Sequence, residues 1–428
     1  MREMKESGIR WLGKVPADWE VKKIKFTLQE RVEKNNPIRT SEILSLTAKQ
    51  GVVPHSEKEG GGNKPKEDLS DYRLAYPGDI VMNSMNILSG SVGLSKYFGC
   101  VSPVYYMLRP RLKDHDVRFY NYVFQTTVFQ KSLFGLGNGI LIKESGNGKL
   151  NTIRMRIPMD KFGNVFIPVA PASYQKAVSD FLDATCAEID SIMSDLQTQI
   201  DTLEEYKRSV ITEAVTKGLD PDVEMRSSGV DYIGKMNAKW KLTKLRYICE
   251  KLNRYFDSDA EPLICSNKGE VFPRGDSSIG LVSDNDKMFQ GVHRGDLLIH
   301  GMDTWHGAIA VSDYDGKCTT VVHVCDSDQN KYFICYFLQM LAIKSVYKAI
   351  SNGVRENTSD FRSWDKTGHI YITLPPLDEQ NRIAEYIKDK IEHINSIIAE
   401  KTQQIAAIEE YKKSLIFEYV TGKKEVQA

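Results

Sequence analysis

The sequence lacks the features of a membrane, secreted or zinc-binding protein. Among its 428 residues no apolar run approaches the ~18 that a transmembrane helix needs. The opening letters MREMKESGIRWLG contain no apolar signal segment, so we expect a cytoplasmic protein with no membrane partner. Seven cysteines form no CxxC pair, which argues against a zinc ribbon and predicts free, buried thiols.

The chain also lacks net charge, with 57 Lys and Arg against 57 Asp and Glu, but its charges are unevenly distributed. Residues 1–170 carry 26 basic and 17 acidic side chains, whereas residues 171–225 carry 4 basic and 12 acidic ones. Residues 226–375 and 376–428 are nearly balanced, with 19 against 18 and 8 against 10. The basic first segment is compatible with nucleic acid, whereas the acidic segment should be repelled by phosphate.

Motifs for catalysis are missing as well. A DNA methyltransferase would need an Asn/Asp-Pro-Pro-aromatic tetrapeptide, but Pro375 and Pro376 lie between two leucines. Residues 60–64 lack the spacing of a phosphate-binding loop, and residues 284–287 are more typical of a solvated turn than of a nuclease centre. The histidines of residues 293–323 have no counterparts in the first half. We therefore expect no enzyme activity, and no catalytic, cofactor-binding or metal-binding residue in this chain.

A large internal repeat is the main feature that the sequence does contain. Residues 8–19, GIRWLGKVPADW, recur as residues 229–240, GVDYIGKMNAKW, at an offset of 221. The letters EEYK at residues 204–207 return at residues 409–412, at an offset of 205. The tryptophans that close the two opening phrases hold equal positions, which favours a packing role where each globular half meets its helix.

Between the opening phrase and the long helix, both halves show the same succession of short elements. A Gly-Asp pair before an apolar run, in residues 77–85 and 294–302, predicts a turn leading into a strand. A helical stretch, a Gly/Asn-rich loop and a last strand ending in prolines follow. The predicted strands include residues 92–94, 104–108, 308–311 and 320–324, and the predicted helices are residues 117–134 and 331–350.

The long segment after each globular half has the pattern of a coiled coil. Residues 173–216 contain neither Pro nor Gly, and aliphatic residues recur there every seven positions. We expect a helix of ~66 Å, packed antiparallel against its second copy. Ile192 and Tyr206 are expected at intervening seam positions, and Lys401 interrupts the seam. The predicted seam residues are Leu182, Ile189, Leu196, Leu203, Val210, Ile387, Ile394, Ile408 and Leu415.

Two loops in each half carry side chains suited to reading DNA, although polar Gly-rich loops are also common as plain surface connectors. Arg, Lys, Asn and Gln bond base edges, while Gly and Ser allow close approach to phosphate. Trp305, next to one loop, fits a core position equally well. The candidate DNA-binding residues are Asn83, Ser84, Asn86, Ser91, Asn138, Gly139, Lys143, Lys149, His300, Asp303, His306, Asn352, Gly353, Arg355, Asn357 and Arg362.

Together these phrases resemble the specificity subunit of type I restriction–modification systems over essentially the whole chain. The doubled opening, the link AVTKGLDP at residues 214–221 and the proline-rich starts of both EEYK helices carry the resemblance. It implies an α+β fold, with two globular target-recognition domains that have mixed β-rich cores. A pair of long antiparallel coiled-coil helices would separate them, and an internal pseudo-twofold repeat would relate them. The implied boundaries are 1–170 and 218–375 for target recognition (218–228 as connector), 171–217 and 376–422 for the spacer helices, and 423–428 for the tail.

The resemblance further implies a non-catalytic DNA-recognition subunit. Each globular domain would read one half of a bipartite, asymmetric site on double-stranded DNA. The coiled coil would set the spacing and dock two methyltransferase (M) subunits, and restriction/translocase (R) subunits would join the full complex. S-adenosylmethionine, ATP and Mg²⁺ are expected on those partners, with no cofactor on this chain.

Two departures and two alternatives accompany this interpretation. Met236 and Asn237 replace the Val-Pro of the first opening phrase. Residues 169–173 lack the acidic side chains that Asp378 and Glu379 supply before the second helix, a departure that could loosen one docking surface. The chain could instead be a coiled-coil scaffold that binds only proteins. It could also be the specificity partner of a related methylation system outside type I.

Overall fold

The chain folds as two compact units. Unit 1 consists of Met1–Asp195 with Gln403–Ala428, and unit 2 consists of Leu196–Thr402. Each unit therefore contains one globular half of the repeat and a part of each long helix, while the implied functional boundaries stay a prediction. The structure, a computed structural model, describes residues 2–47, 50–59, 65–137, 143–144, 150–151, 156–275, 288–351 and 361–426.

Unit 1 combines short antiparallel strands with short helices and the first part of a long one. Its strands are β1 Met4–Glu6, β2 Lys14–Pro16, β3 Glu20–Lys23, β4 Leu28–Arg31, β5 Leu44–Thr47, β6 Gly51–Pro54, β7 Arg73–Ala75, β8 Ile80–Asn83, β9 Val92–Leu94, β10 Gly99–Val101, β11 Tyr105–Pro110, β12 Lys143–Glu144, β13 Leu150–Asn151 and β14 Phe166–Val169. Its helices are α1 Ile24–Thr27, α2 Val117–Gln125, α3 Thr127–Ser132, α4 Met159–Phe162 and the start of α5 Ala172–Lys217.

Unit 2 repeats this composition. Its strands are β15 Met225–Ser227, β16 Lys235–Asn237, β17 Lys241–Lys244, β18 Glu250–Leu252, β19 Leu263–Cys265, β20 Val271–Pro273, β21 Phe289–Val292, β22 Leu297–His300, β23 Ile309–Val311, β24 Gly316–Thr319, β25 Val322–Asp326 and β26 Tyr371–Leu374. Its helices are α6 Lys331–Ile343, α7 Val346–Ile350, α8 Trp364–Gly368 and the first part of α9 Leu377–Val420.

The central sheets of the two units have the same topology. In unit 1 the strand order is β4-β11-β8-β9, and in unit 2 it is β18-β25-β22-β23, with antiparallel neighbours throughout. The register is also repeated, because Asn83 lies opposite Tyr105 and His300 lies opposite Val322. The predicted α+β fold and internal repeat are confirmed.

The two predicted helical stretches are present, but each is divided into two helices by a break that the sequence did not predict. The stretch 117–134 divides at Thr126, whose backbone is extended and whose hydroxyl accepts the Phe129 N–H as the cap of α3. The stretch 331–350 divides at Ser345, which adopts the left-handed conformation with φ of 57°. The hydrophobic periodicity continues across both breaks, so the sequence pattern does not reveal them. The breaks result from the backbone conformations of Thr126 and Ser345, at which a new helix begins.

Both tryptophans of the repeated opening are buried in the core of their unit, as predicted, with Trp19 0% and Trp240 2% exposed. The seven cysteines are free and buried, which confirms that prediction too. Trp305 is partly buried and packs against the core of unit 2. No helix in the described ranges is long and apolar enough to cross a membrane.

The long helices α5 and α9 run antiparallel in both units. In unit 1 the rings of Phe181 and Tyr419 lie 4.6 Å apart, and Lys412 Nζ lies 2.6 Å from Asp190 Oδ1. In unit 2 Lys207 Nζ donates to Asn395 Oδ1 at 3.1 Å. Seam burial is strongest near the globular parts, at Leu182, Ile189, Val210, Ile387, Ile394 and Leu415, whereas Leu196, Leu203 and Ile408 are half-buried.

One expectation about the seam needs correction. Ile192 and Tyr206 are each 50% exposed and so do not lie on the seam. The intervening seam position comes four residues after Ile189 and four residues after Leu203, and Met193 and Lys207 occupy it. Lys401, which interrupts the apolar seam as predicted, donates from Nζ to the amide oxygen of Gln199 on the facing helix. The seam thus accommodates lysines by hydrogen bonds to the opposite helix.

Candidate nucleic-acid interface

Each central sheet carries one hairpin loop at the position where the sequence predicts DNA contacts. The unit 1 loop comprises residues 83–91 between β8 and β9, and the unit 2 loop comprises residues 300–308 between β22 and β23. Their backbones make the same four hydrogen bonds. In unit 1 these run from Asn83 N to Ser91 O, Asn86 N to Asn83 O, Gly90 N to Ile87 O and Ser91 N to Asn86 O. In unit 2 the corresponding bonds run from His300 N to Ala308 O, Asp303 N to His300 O, Gly307 N to Thr304 O and Ala308 N to Asp303 O.

A glycine in the left-handed conformation closes both loops. Gly90 has a φ of 79° and Gly307 a φ of 86°, values that L side chains rarely adopt. Apart from a methionine that both loops keep, Met85 and Met302, the residues between the first shared hydrogen bond and this glycine differ between the copies. One backbone frame therefore presents two different sets of side chains.

A buried arginine–aspartate pair holds the strand that leads into each loop. Asp79, of the Gly-Asp turn before β8, accepts from Arg31 Nε at 2.9 Å and from the Tyr76 N–H at 3.0 Å. Asp296, before β22, accepts from Arg254 Nη2 at 3.2 Å and from the His293 N–H at 2.7 Å. Both carboxyl groups are almost fully buried, so the Gly-Asp signal in the sequence has a positioning role beneath the loop.

In the unit 1 loop, the structure separates the candidates by exposure. Asn83 is buried, and its Oδ1 accepts the Met85 N–H at 3.0 Å. Ser84 is buried as well and donates to the Val104 carbonyl at 2.6 Å, while Ser91 lies buried at the end of the loop. Only Asn86, among the candidates of this loop, is exposed. Its amide is therefore the group best placed to reach a base edge.

In the unit 2 loop, His306 is exposed and Asp303 partly so. His300 is mostly buried, and its Nδ1 accepts the Asp303 N–H at 3.1 Å. Burial lowers the pKa of His300 below its ordinary value, although the neighbouring Asp303 carboxylate opposes that shift. The neutral ring accepts at Nδ1 and so carries its proton on Nε2.

Trp305 and Arg362 complete this surface. The Trp305 ring meets His306 edge-to-face at 4.8 Å, and Lys348 Nζ lies 5.6 Å from the Trp305 centroid. Arg362 is exposed, with Nη2 3.0 Å from Met302 Sδ, just beyond the hairpin. Sequence reasoning did not anticipate Lys348, because its place in the short helix α7 carries no loop signal.

The second predicted loop of each half lies mostly outside the described residues. This applies to Asn138, Gly139, Lys149, Asn352, Gly353, Arg355 and Asn357, and for Lys143 only the backbone, in β12, is described. Their DNA contacts stay a prediction. Within the described residues, no group of three or more His, Cys, Asp or Glu side chains could hold a metal ion.

One buried glutamine joins the globular part of each unit to its long helix. Gln175 in α5 accepts the Asp116 N–H at 3.0 Å and donates to the Ala170 carbonyl at 2.8 Å. Gln380 in α9 accepts the Asn330 N–H at 3.0 Å and donates to the Pro375 carbonyl at 2.9 Å. Both glutamines are 0% exposed. The sequence marks them only as matching letters of the repeat, at an offset of 205.

Comparison with known proteins gives a consistent result, although no protein-family model matches the chain. The type I restriction enzyme MjaX specificity subunit of Methanocaldococcus jannaschii is 23% identical over 453 residues, covering 97% of this chain and 96% of that protein. The MjaVIII specificity subunit of the same organism is 23% identical over 439 residues, covering 97% and 95%. A solved structure from work on complex assembly and conformational transition of the type I R-M system shares the fold. Its TM-score is 0.69 at 12% identity, covering 96% of this chain and 99% of that chain.

Proposed function

Because the chain is similar over 97% of its length to specificity subunits of type I restriction systems, we propose that it is a non-catalytic subunit of this kind and that each of its units reads one half of a bipartite DNA site. The two half-sites differ in sequence, so the full site is asymmetric. The helix pair α5 and α9 sets the spacing between the two half-sites. The chain acts in the cytoplasm on double-stranded DNA.

A single observation carries this proposal, namely the repeated hairpin loop with exchanged side chains. An identical hydrogen-bonded frame presents Asn86 in unit 1 and Asp303 with His306 in unit 2. Asn pairs with adenine, and a carboxylate accepts from cytosine, so the two loops suit different bases. Exchanged side chains on a constant frame are expected for two readers of unlike half-sites.

Charge supports the same assignment for the first unit. Residues 1–170, which form its globular part, carry an excess of basic over acidic side chains, 26 against 17. Such an excess favours the phosphate backbone and makes binding depend on salt. Residues 226–375, with 19 against 18, have no such excess, so reading in unit 2 depends more on local contacts.

The chain supplies recognition, and its partners supply chemistry. Two methyltransferase (M) subunits dock on it, and restriction/translocase (R) subunits join in the full complex. S-adenosylmethionine, ATP and Mg²⁺ are bound by those partner subunits. The exposed outer faces of α5 and α9 leave room for such docking.

Methylome sequencing of cells that contain this chain and its M subunits tests the proposal. We expect a modified motif of two short, unrelated blocks separated by unspecified bases. A contiguous or palindromic motif would contradict the proposal. Unchanged sequence selection when the M subunits act without this chain would favour the protein-only scaffold instead.

A loop exchange sharpens the test. The double variant Asp303→Asn with His306→Ser gives the unit 2 loop the side chains of positions 86 and 89. We expect it to change one block of the motif and leave the other block and the spacer unaltered. Thr202→Ala, at an exposed helix position outside both loops, is the control and should leave the whole motif unchanged.

A further inference from the structure

Each unit keeps an exposed cation at the same place, although the hairpin loops have exchanged their side chains. Lys25 lies in α1, directly after β3, and Arg246 lies in the short helical turn after β17, at the repeat offset of 221. Other exposed charges of this stretch are not kept, because Lys239 stands where the first copy has Asp18. A positive charge that is retained on such a variable surface needs an explanation.

The backbone that carries each cation is packed against the end of a short helix. In unit 1 the Lys25 N–H donates to the carbonyl of Gly163, which directly follows α4, at 2.9 Å. In unit 2 a Cβ placed on Gly368, the last residue of α8, would lie only 2.9 Å from the Cβ of Arg246, and at Gly163 the distance to the Cβ of Lys25 would be 3.4 Å. Glycine at both places therefore allows the close approach that fixes the position of the cation.

The same short helix leads back to the hairpin loop of its unit. The Ile157 N–H donates to the Ser84 carbonyl in unit 1, and the Phe361 N–H donates to the Gly301 carbonyl in unit 2, both at 3.0 Å. From these contacts to the glycine, the chain with its single helical turn covers about 15 Å. The major groove of DNA is about 12 Å wide. A duplex whose bases face the hairpin loop therefore brings its backbone within reach of the cation.

The acidic side chains near the two cations do not prevent a phosphate contact. In unit 1 Glu30 is paired with Arg73 at 2.7 Å, and Arg111 donates from Nε to the Lys25 carbonyl at 2.9 Å, which adds a second cation. In unit 2 Asp365 lies 3.4 Å from Nη1 of Arg246, but its side chain is 74% exposed. An ion pair at so exposed a position contributes little, so a phosphate can replace the carboxylate.

Two readers of unlike half-sites need different base contacts, but both meet the same sugar–phosphate backbone. Side chains that contact bases should therefore differ between the units, and side chains that contact phosphate should be repeated. Resting on the proposed function, we propose that Lys25 and Arg246 each contact a phosphate beside the half-site that their unit reads. They are positioning residues, which set the register of the hairpin loop on the duplex without reading its sequence.

Duplex binding by the complex of the full chain with its methyltransferase subunits, measured over a range of salt concentrations, tests this inference. Lys25→Gln and Arg246→Gln should each lower the slope of log affinity against log salt by about 0.9, and the double variant by about twice as much. Raising the salt from about 50 to about 200 mM should then cost each single variant about 3.5-fold less affinity than it costs the unchanged complex. The methylated motif should stay the same.

Conservative variants and a matched control separate charge from structure. Lys25→Arg and Arg246→Lys keep the cation and should keep the salt slope. Lys239→Gln removes the same charge from an exposed position of unit 2 that is acidic in the first copy, so it should change neither slope nor motif. All variants should unfold at the same temperature, because the mutated side chains are exposed.

An unchanged salt slope in the double variant overturns the inference. A changed motif also overturns it, because the cations would then read bases. Weaker binding of the methyltransferase subunits at an unchanged salt slope would assign the two cations to a protein contact, which is equally incompatible with the inference. Failure of the proposed function would show separately, as a contiguous or palindromic motif in the methylome of the unchanged complex.

Discussion

Each unit has a buried tryptophan at the equivalent position, Trp19 in unit 1 and Trp240 in unit 2, and the two contact the start of a long helix differently. In unit 2, Trp240 Nε1 donates to Glu379 Oε2 at 3.1 Å. In unit 1, Tyr174 takes the place of that acid, and its ring meets Trp19 edge-to-face at 5.0 Å. Trp19 Nε1 has no hydrogen-bond partner in the part of the chain that the structure describes.

This difference shows which part of the junction is required. The indole ring is buried in both units, so its packing is the part of the junction that both share. The contact that the ring makes with the long helix differs, because Glu379 accepts a hydrogen bond in unit 2 and Tyr174 packs against the ring in unit 1. The Arg2 guanidinium, 5.7 Å from the Trp19 ring and 5.1 Å from the Tyr174 ring, compensates in unit 1 through cation–π contacts. The acidic residue missing from the first copy is thus replaced locally.

The junction glutamine is common to both units, and its removal should have the largest effect. Gln175→Ala leaves the Asp116 N–H and the Ala170 carbonyl buried without partners. We expect a loss of about 2–4 kcal/mol in the unfolding free energy of unit 1. Gln380→Ala should cost unit 2 a similar amount, and scanning calorimetry would resolve which unit melts earlier.

The control for both glutamine variants is Lys176→Ala. Its side chain is exposed and forms a surface ion pair with Asp180, one turn further along the same helix, so the change should stay within about 0.5 kcal/mol. A glutamine variant that is no less stable than this control would mean that the bridge to the helix contributes nothing.

An intermediate effect is expected at the junction where the units differ. Glu379→Ala leaves the Trp240 indole N–H unpaired and should destabilise unit 2 by about 1–2 kcal/mol. Glu379→Tyr imports the residue of unit 1 and should recover part of that loss through ring packing. Equal melting temperatures for Glu379→Ala and the unchanged chain would show that the polar contact is dispensable in unit 2 as well.

The smallest effect concerns pH. Burial lowers the pKa of His300 and of His323, so the folded state favours the neutral rings while the unfolded chain takes up protons below about pH 6.5. The histidine contribution to the stability of unit 2 should therefore be fully present above that pH and be lost progressively as the pH drops towards 5.5.

The first copy supplies the matched variant for this pH effect. His323 Nε2 contacts the Phe361 carbonyl at 2.7 Å, and Tyr106, at the equivalent place, donates to the Ile157 carbonyl at 2.9 Å. His300→Asn with His323→Tyr should flatten the melting temperature of unit 2 between pH 7.5 and 5.5. An unchanged slope would assign the pH dependence to other groups.

Much of this architecture could be predicted because the sequence contains an internal repeat. A repeated phrase at residues 8–19 and 229–240 marks equivalent positions without any alignment to other proteins. The heptad spacing of α5 and the Gly-Asp turns before β8 and β22 depend on local periodicity and turn chemistry, which sequence reasoning handles well. The breaks at Thr126 and Ser345 were missed because the apolar pattern continues through them.

The candidate loops show where such reasoning ends. Asn83, Ser84 and Asn86 are equally polar, and nothing in their order distinguishes them. The structure buries the first two in hydrogen bonds of the loop itself and leaves the third exposed. Exposure depends on which backbone groups need a partner after the hairpin closes, and that is a property of the folded chain.

Repetition, helix length and the distribution of charge can be read from the amino-acid sequence alone, and they were sufficient to predict the fold and the resemblance to specificity subunits. The tertiary structure decided which lysines reach across the seam, which polar loop residues remain available and how each tryptophan is held. These outcomes depend on distances between residues far apart in sequence, such as Trp240 and Glu379. The local sequence around each residue does not determine such distances, because they are set only when the chain packs.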